Sequence, residues 1–387
     1  MMSKPMNFAV IGCGMLARSQ HIPNIAASDR MALHTCIDLS DDALAECKDK
    51  HGALHIGKDY EKAIADPEIE AICLATHESL RLPVIKAAME AGKPIYIEKP
   101  MAPTLEEAYE IHKVVTAAKV PFCVGHNRRN APAMIEGQRI FSEHMANPKP
   151  CKWRFQREGT IPKLPDHDAP CMSARINDDY YSWKGYVFDN DETREGPMLF
   201  EMTHFTDVCN WFMGSEPAEV VAIEGGMLNH GTIIRYANGG VATITMGANG
   251  TFGYPKELYE VWGGGAMMVV DHMLEIRTAG IEGAPARKTY DMLNDRHPDI
   301  GTEGGFEGYM AKKRAACEEA AASGDTWQIF TAEPDKGHAR ALERFIDEIR
   351  GVGPQVCGVD SALAATRVSF AAIESAKTGK AVDMKNV

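Results

Sequence analysis

The sequence predicts an α/β fold: an N-terminal Rossmann domain with a doubly wound parallel sheet, then a C-terminal α/β domain with an open, largely antiparallel sheet. Three observations carry this. Continuous apolar runs alternate with helical stretches through the first 128 residues. A glycine loop, Gly12-Cys13-Gly14-Met15-Leu16-Ala17, sits between the first apolar run and the first helix. From about residue 130 the texture changes to short β-rich runs with glycine-bearing turns. Apolar strands separated by helices indicate a parallel sheet covered on both faces, whereas short-turn series indicate an antiparallel one.

The elements follow in order. Residues 7–11 (NFAVI) form a strand, and a helical stretch after the glycine loop runs to about 27. Residues 31–37 (MALHTCI) are the second strand, and 40–52 a helix with Ser40 as N-cap. Residues 71–75 (AICLA), 94–97 (PIYI) and 121–124 (PFCV) are further buried strands. Between them lie helices over 82–91 and 104–118, the second opened by a Thr104/Glu107 capping box. Beyond the boundary, a helix is expected at 133–145, a strand at 153–157, and a polar, aromatic-rich loop over 158–195. Residues 197–214 read as helix. Strands are expected at 219–223, 232–236, 241–246, 258–262 and 267–271, with closing helices at 338–350 and 361–375. The predicted division is 1–128 for nucleotide binding and 129–387 for substrate binding and oligomerisation.

The glycine loop has a chemical reason. Gly12 permits the tight turn, Gly14 lets backbone approach a pyrophosphate, and the small Ala17 allows close helix–strand packing. Met15 and Leu16 open the helix, whose free N–H groups face the phosphates. The second strand ends at Asp38, 26 residues after Gly12. A carboxylate there accepts ribose hydroxyls and repels a 2′-phosphate, so the expected cofactor is NAD rather than NADP.

The chain holds 41 Lys+Arg against 54 Asp+Glu, a net charge of −13. That balance disfavours nucleic acid and anionic membrane surfaces as partners. No apolar run reaches the ~18 residues of a membrane span. The N-terminus runs into a strand with no basic-then-apolar leader, so a cytoplasmic protein is expected. None of the ten cysteines forms a CxxC pair, and they read as buried reduced thiols. The fourteen histidines include no HxH or HExxH pattern, and no metal is expected.

Residues 94–100 (PIYIEKP) place Glu98, Lys99 and a proline at a strand's C-terminal end, where open α/β sheets bind ligands. Here the sequence resembles the glucose–fructose oxidoreductase / myo-inositol dehydrogenase (Gfo/Idh/MocA) family. The matching stretches are GCGMLA at 12–17, LATHESLRLPVIKAAMEAGKPIYIEKPMA at 74–102, VGHNRRNAP at 124–132, THFTDVCNWFMG at 203–214 and AAIESAKTGKAV at 371–382. The resemblance implies sugar or cyclitol substrates and a homodimer or homotetramer assembled through the open sheet face. It implies that Lys99 contacts the substrate hydroxyl and the nicotinamide ribose, and that His204 is the general acid/base. Thr76, Glu98 and Asn127 are implied near the nicotinamide or its ribose.

Oxidising a secondary alcohol needs a base with a near-neutral pKa, and histidine suits that task. Glu201, His204 and Asp207 recur at three-residue steps on one broad helix side. A carboxylate beside the histidine would fix its tautomer, which nominates Glu201; Asp207 is a candidate substrate contact. Two departures stand out. Many family members carry an aspartate where this chain has Phe200. Many also have histidine in place of Arg81, and Pro-Asn in place of His77-Glu78. In the loop region, Tyr180 and Trp183 offer rings for sugar faces, and Asp178 and Lys184 offer charged contacts. Lys99, Arg128 and Lys184 are the local cations for any anionic substituent.

Three functions compete. The leading one is an NAD-dependent dehydrogenase acting on a ring hydroxyl of a sugar, cyclitol or derivative. The second is a redox-neutral lyase or glycosidase that retains NAD and works through a transient keto-sugar. The third is a non-catalytic NAD-binding regulator, which would be expected to have lost Lys99 or His204.

Overall fold

In the computed structural model, residues 4–146, 169–178, 199–225, 229–248, 250–293, 305–325, 328–329 and 333–387 are described. The chain divides into two compact units, Met1–Asn130 with Gly337–Arg367, and Ala131–Lys336 with Val368–Val387.

The first unit is built on six parallel strands. They are β1 (Met6–Ile11), β2 (Met31–Ile37), β3 (His55–Gly57), β4 (Ala71–Leu74), β5 (Ile95–Ile97) and β6 (Phe122–Val124), in the order β3-β2-β1-β4-β5-β6. Apolar residues occupy consecutive positions because both faces are covered: Phe8, Val10, Ile72, Leu74, Ile97 and Phe122 are all buried. The order reverses between β1 and β4, so the crevice outside their C-terminal ends is where a ligand belongs. Helices α1 (Ile22–Ala27), α2 (Asp41–His51), α3 (Tyr60–Ala65), α4 (Arg81–Glu90) and α5 (Leu105–Ala118) make the connections. Ser40 caps α2 by accepting the Ala43 N–H, and Thr104 caps α5 by accepting that of Glu107.

Strand β3 and helix α3 were not expected. His55 and Ile56 are exposed and β3 is only three residues long, so no apolar run announces it. The helix after the glycine loop begins as a π-turn over Ala17–His21 before α1. The expected division at 128/129 lies two residues before the 130/131 division, but segment Gly337–Arg367 groups with the first unit. Its helix, Ala341, Leu342, Phe345 and Ile346 in particular, joins the first core, and Phe345 meets Tyr96 at 6.1 Å between ring centroids. An amphipathic face docks on whichever apolar surface it fits, regardless of chain distance.

The second unit carries helix α6 (Pro132–His144), strand β7 (Cys171–Asn177) and helix α7 (Met202–Met213). Strands β8 (Pro217–Glu224), β9 (His230–Tyr236), β10 (Val241–Gly247), β11 (Glu257–Gly263), β12 (Ala266–Asp271), β13 (Glu275–Ala279) and β14 (Arg287–Thr289) follow. With Val382–Asp383 at one edge they form a nine-stranded sheet whose only parallel pair among the described residues is β10 with β7. Strand β7 corrects the reading of 158–195 as loop. Met172, Ala174 and Ile176 alternate inward with more exposed Cys171, Ser173, Arg175 and Asn177, a half-buried strand within polar composition. The expected strand at 153–157 lies outside the described residues.

One sheet face packs against helices through Val220, Ala222, Ile234, Met246, Tyr259 and Val261. The other leaves Val221, Ile223, Ile233, Trp262 and Met267 exposed, with Ile223 at 73%.

Candidate active site

In the first unit the C-terminal end of β1 leads into the glycine loop. The Gly12 N–H donates to Ile37 O at 2.8 Å, tying the loop to the end of β2. Gly12 has φ +90, and a Cβ there would lie 2.7 Å from the Ala75 carbonyl carbon and Thr76 nitrogen. Both the turn and the close approach of the chain after β4 therefore demand glycine. At Gly14 a Cβ would meet nothing within 4 Å, which leaves open space above the second glycine. Met15 and Leu16 are exposed beside that space, while Ala17 is fully buried against the sheet.

Asp38 lies just past the end of β2, beside the glycine loop. Its Oδ2 accepts the Cys13 N–H at 2.7 Å and its Oδ1 the Ser40 N–H at 2.8 Å. Two of about four carboxylate lone-pair sites are thus used, and the rest remain for hydroxyls. Thr76, just past β4, has a buried Oγ1 with no hydrogen-bond partner. Open space at Gly14, a fixed carboxylate at Asp38 and an unsatisfied hydroxyl at Thr76 fit an adenine dinucleotide.

The turn after β5 is held from several sides. Glu98 is buried and its Oε1 lies 2.7 Å from His21 Nε2. Burial opposes ionisation of Glu98, but the His21 and Lys99 side chains outweigh it and hold the carboxyl below its usual range. Its Oε2 accepts the Lys99 N–H at 3.2 Å. Arg81, in the first turn of α4, donates from Nη2 to Lys99 O at 3.2 Å and to Thr76 O at 3.4 Å. Side chains thus grip the Lys99 backbone at both its N–H and its C=O. Burial pushes the Arg81 guanidinium down to about 10, and its Nε and Nη1 have no hydrogen-bond partner. Half-buried Lys99 therefore sits on a braced turn. Asn127 and Arg128 lie in a short buried turn, Asn127–Asn130, after β6; Arg128 Nη1 donates to Asn127 Oδ1 at 3.1 Å.

In the second unit His204 occupies the first turn of α7 and its N–H donates to Glu201 O at 3.1 Å. His204, Glu201 and Asp207 are all buried. The Glu201 carboxylate is engaged by Lys256: Nζ lies 2.5 Å from Glu201 Oε1 and 2.9 Å from Asp178 Oδ2. Asp178 directly follows β7, and its N–H donates to Gly247 O at 2.7 Å. Lys256 therefore links the end of β7, the start of α7 and the start of β11. Sequence reading missed it, because a single lysine after Pro255 carries no pattern. His21 and its contact with Glu98 were missed for the same reason. Tyr180, Trp183 and Lys184 lie outside the described residues.

A parallel sheet with this glycine loop and carboxylate defines an NAD-binding Rossmann fold. The family profile described as "Oxidoreductase family, NAD-binding Rossmann fold" (GFO_IDH_MocA) matches residues 6–126. The likeness to the Gfo/Idh/MocA oxidoreductase family is carried by that NAD-binding domain. The chain is 26% identical over 279 residues to the uncharacterized oxidoreductase YrbE of Bacillus subtilis, covering 68% of this chain and 72% of the relative. It is 22% identical to myo-inositol 2-dehydrogenase of Thermotoga maritima over 99% of each chain. The crystal structure of scyllo-inositol dehydrogenase from Lactobacillus casei with NAD(H) and scyllo-inositol shares the fold, with a TM-score of 0.71 at 16% identity over 99% of this chain and 100% of that one. Among the described residues no helix is long and apolar enough to cross a membrane.

Proposed function

We propose that the protein is an NAD-dependent dehydrogenase acting on a ring hydroxyl of a sugar, cyclitol or derivative, with Lys99 and His204 handling the proton. The observation that carries this is the Lys99 turn. A lysine at the C-terminal end of a parallel strand, beside a dinucleotide cradle, is held through both backbone polar groups and through buried Glu98. Such bracing is the mark of a side chain that must meet a reacting group in one geometry. The names of the relatives, myo-inositol 2-dehydrogenase among them, support the substrate class.

Bound NAD supplies the hydride acceptor. The Lys99 ammonium donates a hydrogen bond to the reacting oxygen and stabilises negative charge as it develops there. His204 accepts the hydroxyl proton as general base and returns it in the reverse direction. Asp178, Glu201 and Lys256 form a charged network adjoining the first turn of the His204 helix, and with Asp207 they supply polar contacts to substrate hydroxyls. Thr76, Glu98 and Asn127 face the nicotinamide and its ribose, and Arg128 supports that turn. In this proposal Glu201 acts through its charge beside Lys256, since its carboxylate is committed there. The exposed apolar sheet face, Ile223, Ile233 and Trp262 in particular, supports a homo-oligomer. A cytoplasmic setting completes the proposal.

The test is a panel of sugars and cyclitols incubated with NAD, following reduced cofactor by absorbance and product by mass. Reduced cofactor in step with product supports the dehydrogenase. Product without net reduction overturns it in favour of the redox-neutral lyase or glycosidase route. Lys99→Ala and His204→Ala should lose kcat while retaining NAD binding; full activity in both would refute the assigned roles.

A further inference from the structure

Three cysteines converge at the glycine loop from three different elements. Cys13 lies between Gly12 and Gly14, Cys36 is on β2 and Cys47 on α2. All three are fully buried, and their sulfur atoms lie within 4.8 Å of one another. Apolar packing needs only small hydrophobes at these places; three sulfurs meeting at one point also make a soft donor set. Metal–sulfur bonds of about 2.3 Å place thiolates roughly 3.8–4.0 Å apart, so side-chain shifts under about 1 Å suffice to close the site.

The Cys13 thiol donates to Ile37 O at 3.7 Å, at the end of the strand that carries Cys36. Arg18 Nε donates to Cys13 O at 2.9 Å, which anchors the guanidinium at the loop. His51 follows Cys47 by one turn on the same face of α2, and its Nε2 is buried with no hydrogen-bond partner.

We propose that Cys13, Cys36 and Cys47 bind one thiophilic d10 cation, Zn²⁺ or Cu⁺. Binding replaces thiol protons, which leave to solvent, so affinity rises with pH. Three thiolates around a divalent cation carry a net single negative charge. The Cys13 N–H donates to the Asp38 carboxylate, so the site shares its loop with the NAD cradle. A cation there stiffens that loop and changes NAD affinity, and NAD changes cation affinity by the same factor.

The test needs no turnover, so its outcome is independent of the proposed reaction. Reduced full-length protein is loaded anaerobically with Zn²⁺ or, separately, Cu⁺, desalted and analysed for metal. One retained equivalent is expected, and the arm that retains it identifies the ion. Competition against a chromophoric chelator should show affinity weakened at least about 100-fold in Cys36→Ser and Cys47→Ser, and unchanged in Cys171→Ser. Cd²⁺ titration of the unmutated protein gives a second reading: thiolate charge-transfer absorption should report three thiolates per cation. No retained metal, retention that survives both substitutions, or a Cd²⁺ spectrum without thiolate ligation would each overturn the proposal.

Discussion

Replacing Arg81 by methionine separates stability from positioning. Arg81 is 3% exposed, and burial lowers its guanidinium from 12.5 to about 10. At about 1.36 kcal/mol per pH unit, holding that charge in the fold costs about 3 kcal/mol at neutral pH. Against this stand two charge-assisted bonds, 3.2 Å to Lys99 O and 3.4 Å to Thr76 O. At such lengths each contributes near the low end of about 1.5–3 kcal/mol. The sums nearly cancel, and methionine keeps most of the side-chain volume. Arg81→Met should therefore unfold in urea within about 1 kcal/mol of the parent. Lys99, however, loses the clamp on its carbonyl. Displacement by a fraction of an ångström should lower kcat roughly 10–100-fold, with kcat/KM falling equally. Arg81→Lys should recover part of the rate. A kcat within twofold of the parent, in a protein of parental stability, would refute Arg81 as a positioning residue.

Other outcomes follow from the same geometry. Gly12→Ala forces φ +90 on a side chain and a 2.7 Å contact with the chain after β4, so NAD titration should show binding lost and urea midpoints should fall, by about 2–4 kcal/mol in stability; NAD affinity within twofold of the parent would count against it. Asp38→Ser should narrow the preference for NAD over NADP, measured as the ratio of the two dissociation constants; an unchanged ratio would remove Asp38 as the ribose ligand. Lys256→Met leaves the buried carboxylates of Asp178 and Glu201 without their shared cation, and should cost about 3 kcal/mol in chemical denaturation. Burial lowers His230 to about 4, so the native state stays neutral while the unfolded chain takes a proton below about 6.5. Stability should fall by up to about 3 kcal/mol as pH drops through that window, and His230→Leu should flatten this limb of a pH series of urea titrations. An identical slope in the variant would exclude His230 as a source.

The first domain was legible because its signals are local. Apolar runs such as AICLA and PFCV declare strands buried on both faces, and Gly12 and Asp38 carry a requirement that few other residues meet. Polar or short elements were not legible. Strand β3 exposes two of its three residues, and β7 hides an inward Met-Ala-Ile alternation within a polar stretch. At the proposed site, Lys99 was nominated from its place at a strand end and from the Glu-Lys-Pro turn. Its supports, His21 and Arg81, are 78 and 18 residues away and follow no motif.

The sequence by itself determined the α/β class and the cofactor loop, because each depends on spacing within strand–turn–helix units; Lys99 and His204 were nominated for proton transfer by the family resemblance. Tertiary structure alone decided which side chains work together. It gave 337–367 to the first unit, because the apolar face of its helix finds that core. It tied Glu201 to Lys256, since a buried carboxylate takes the nearest cation that chain packing delivers. It also gathered Cys13, Cys36 and Cys47 at one point from the glycine loop, a strand and a helix. Contacts of this kind are fixed by how elements pack, and no periodicity along the chain records them.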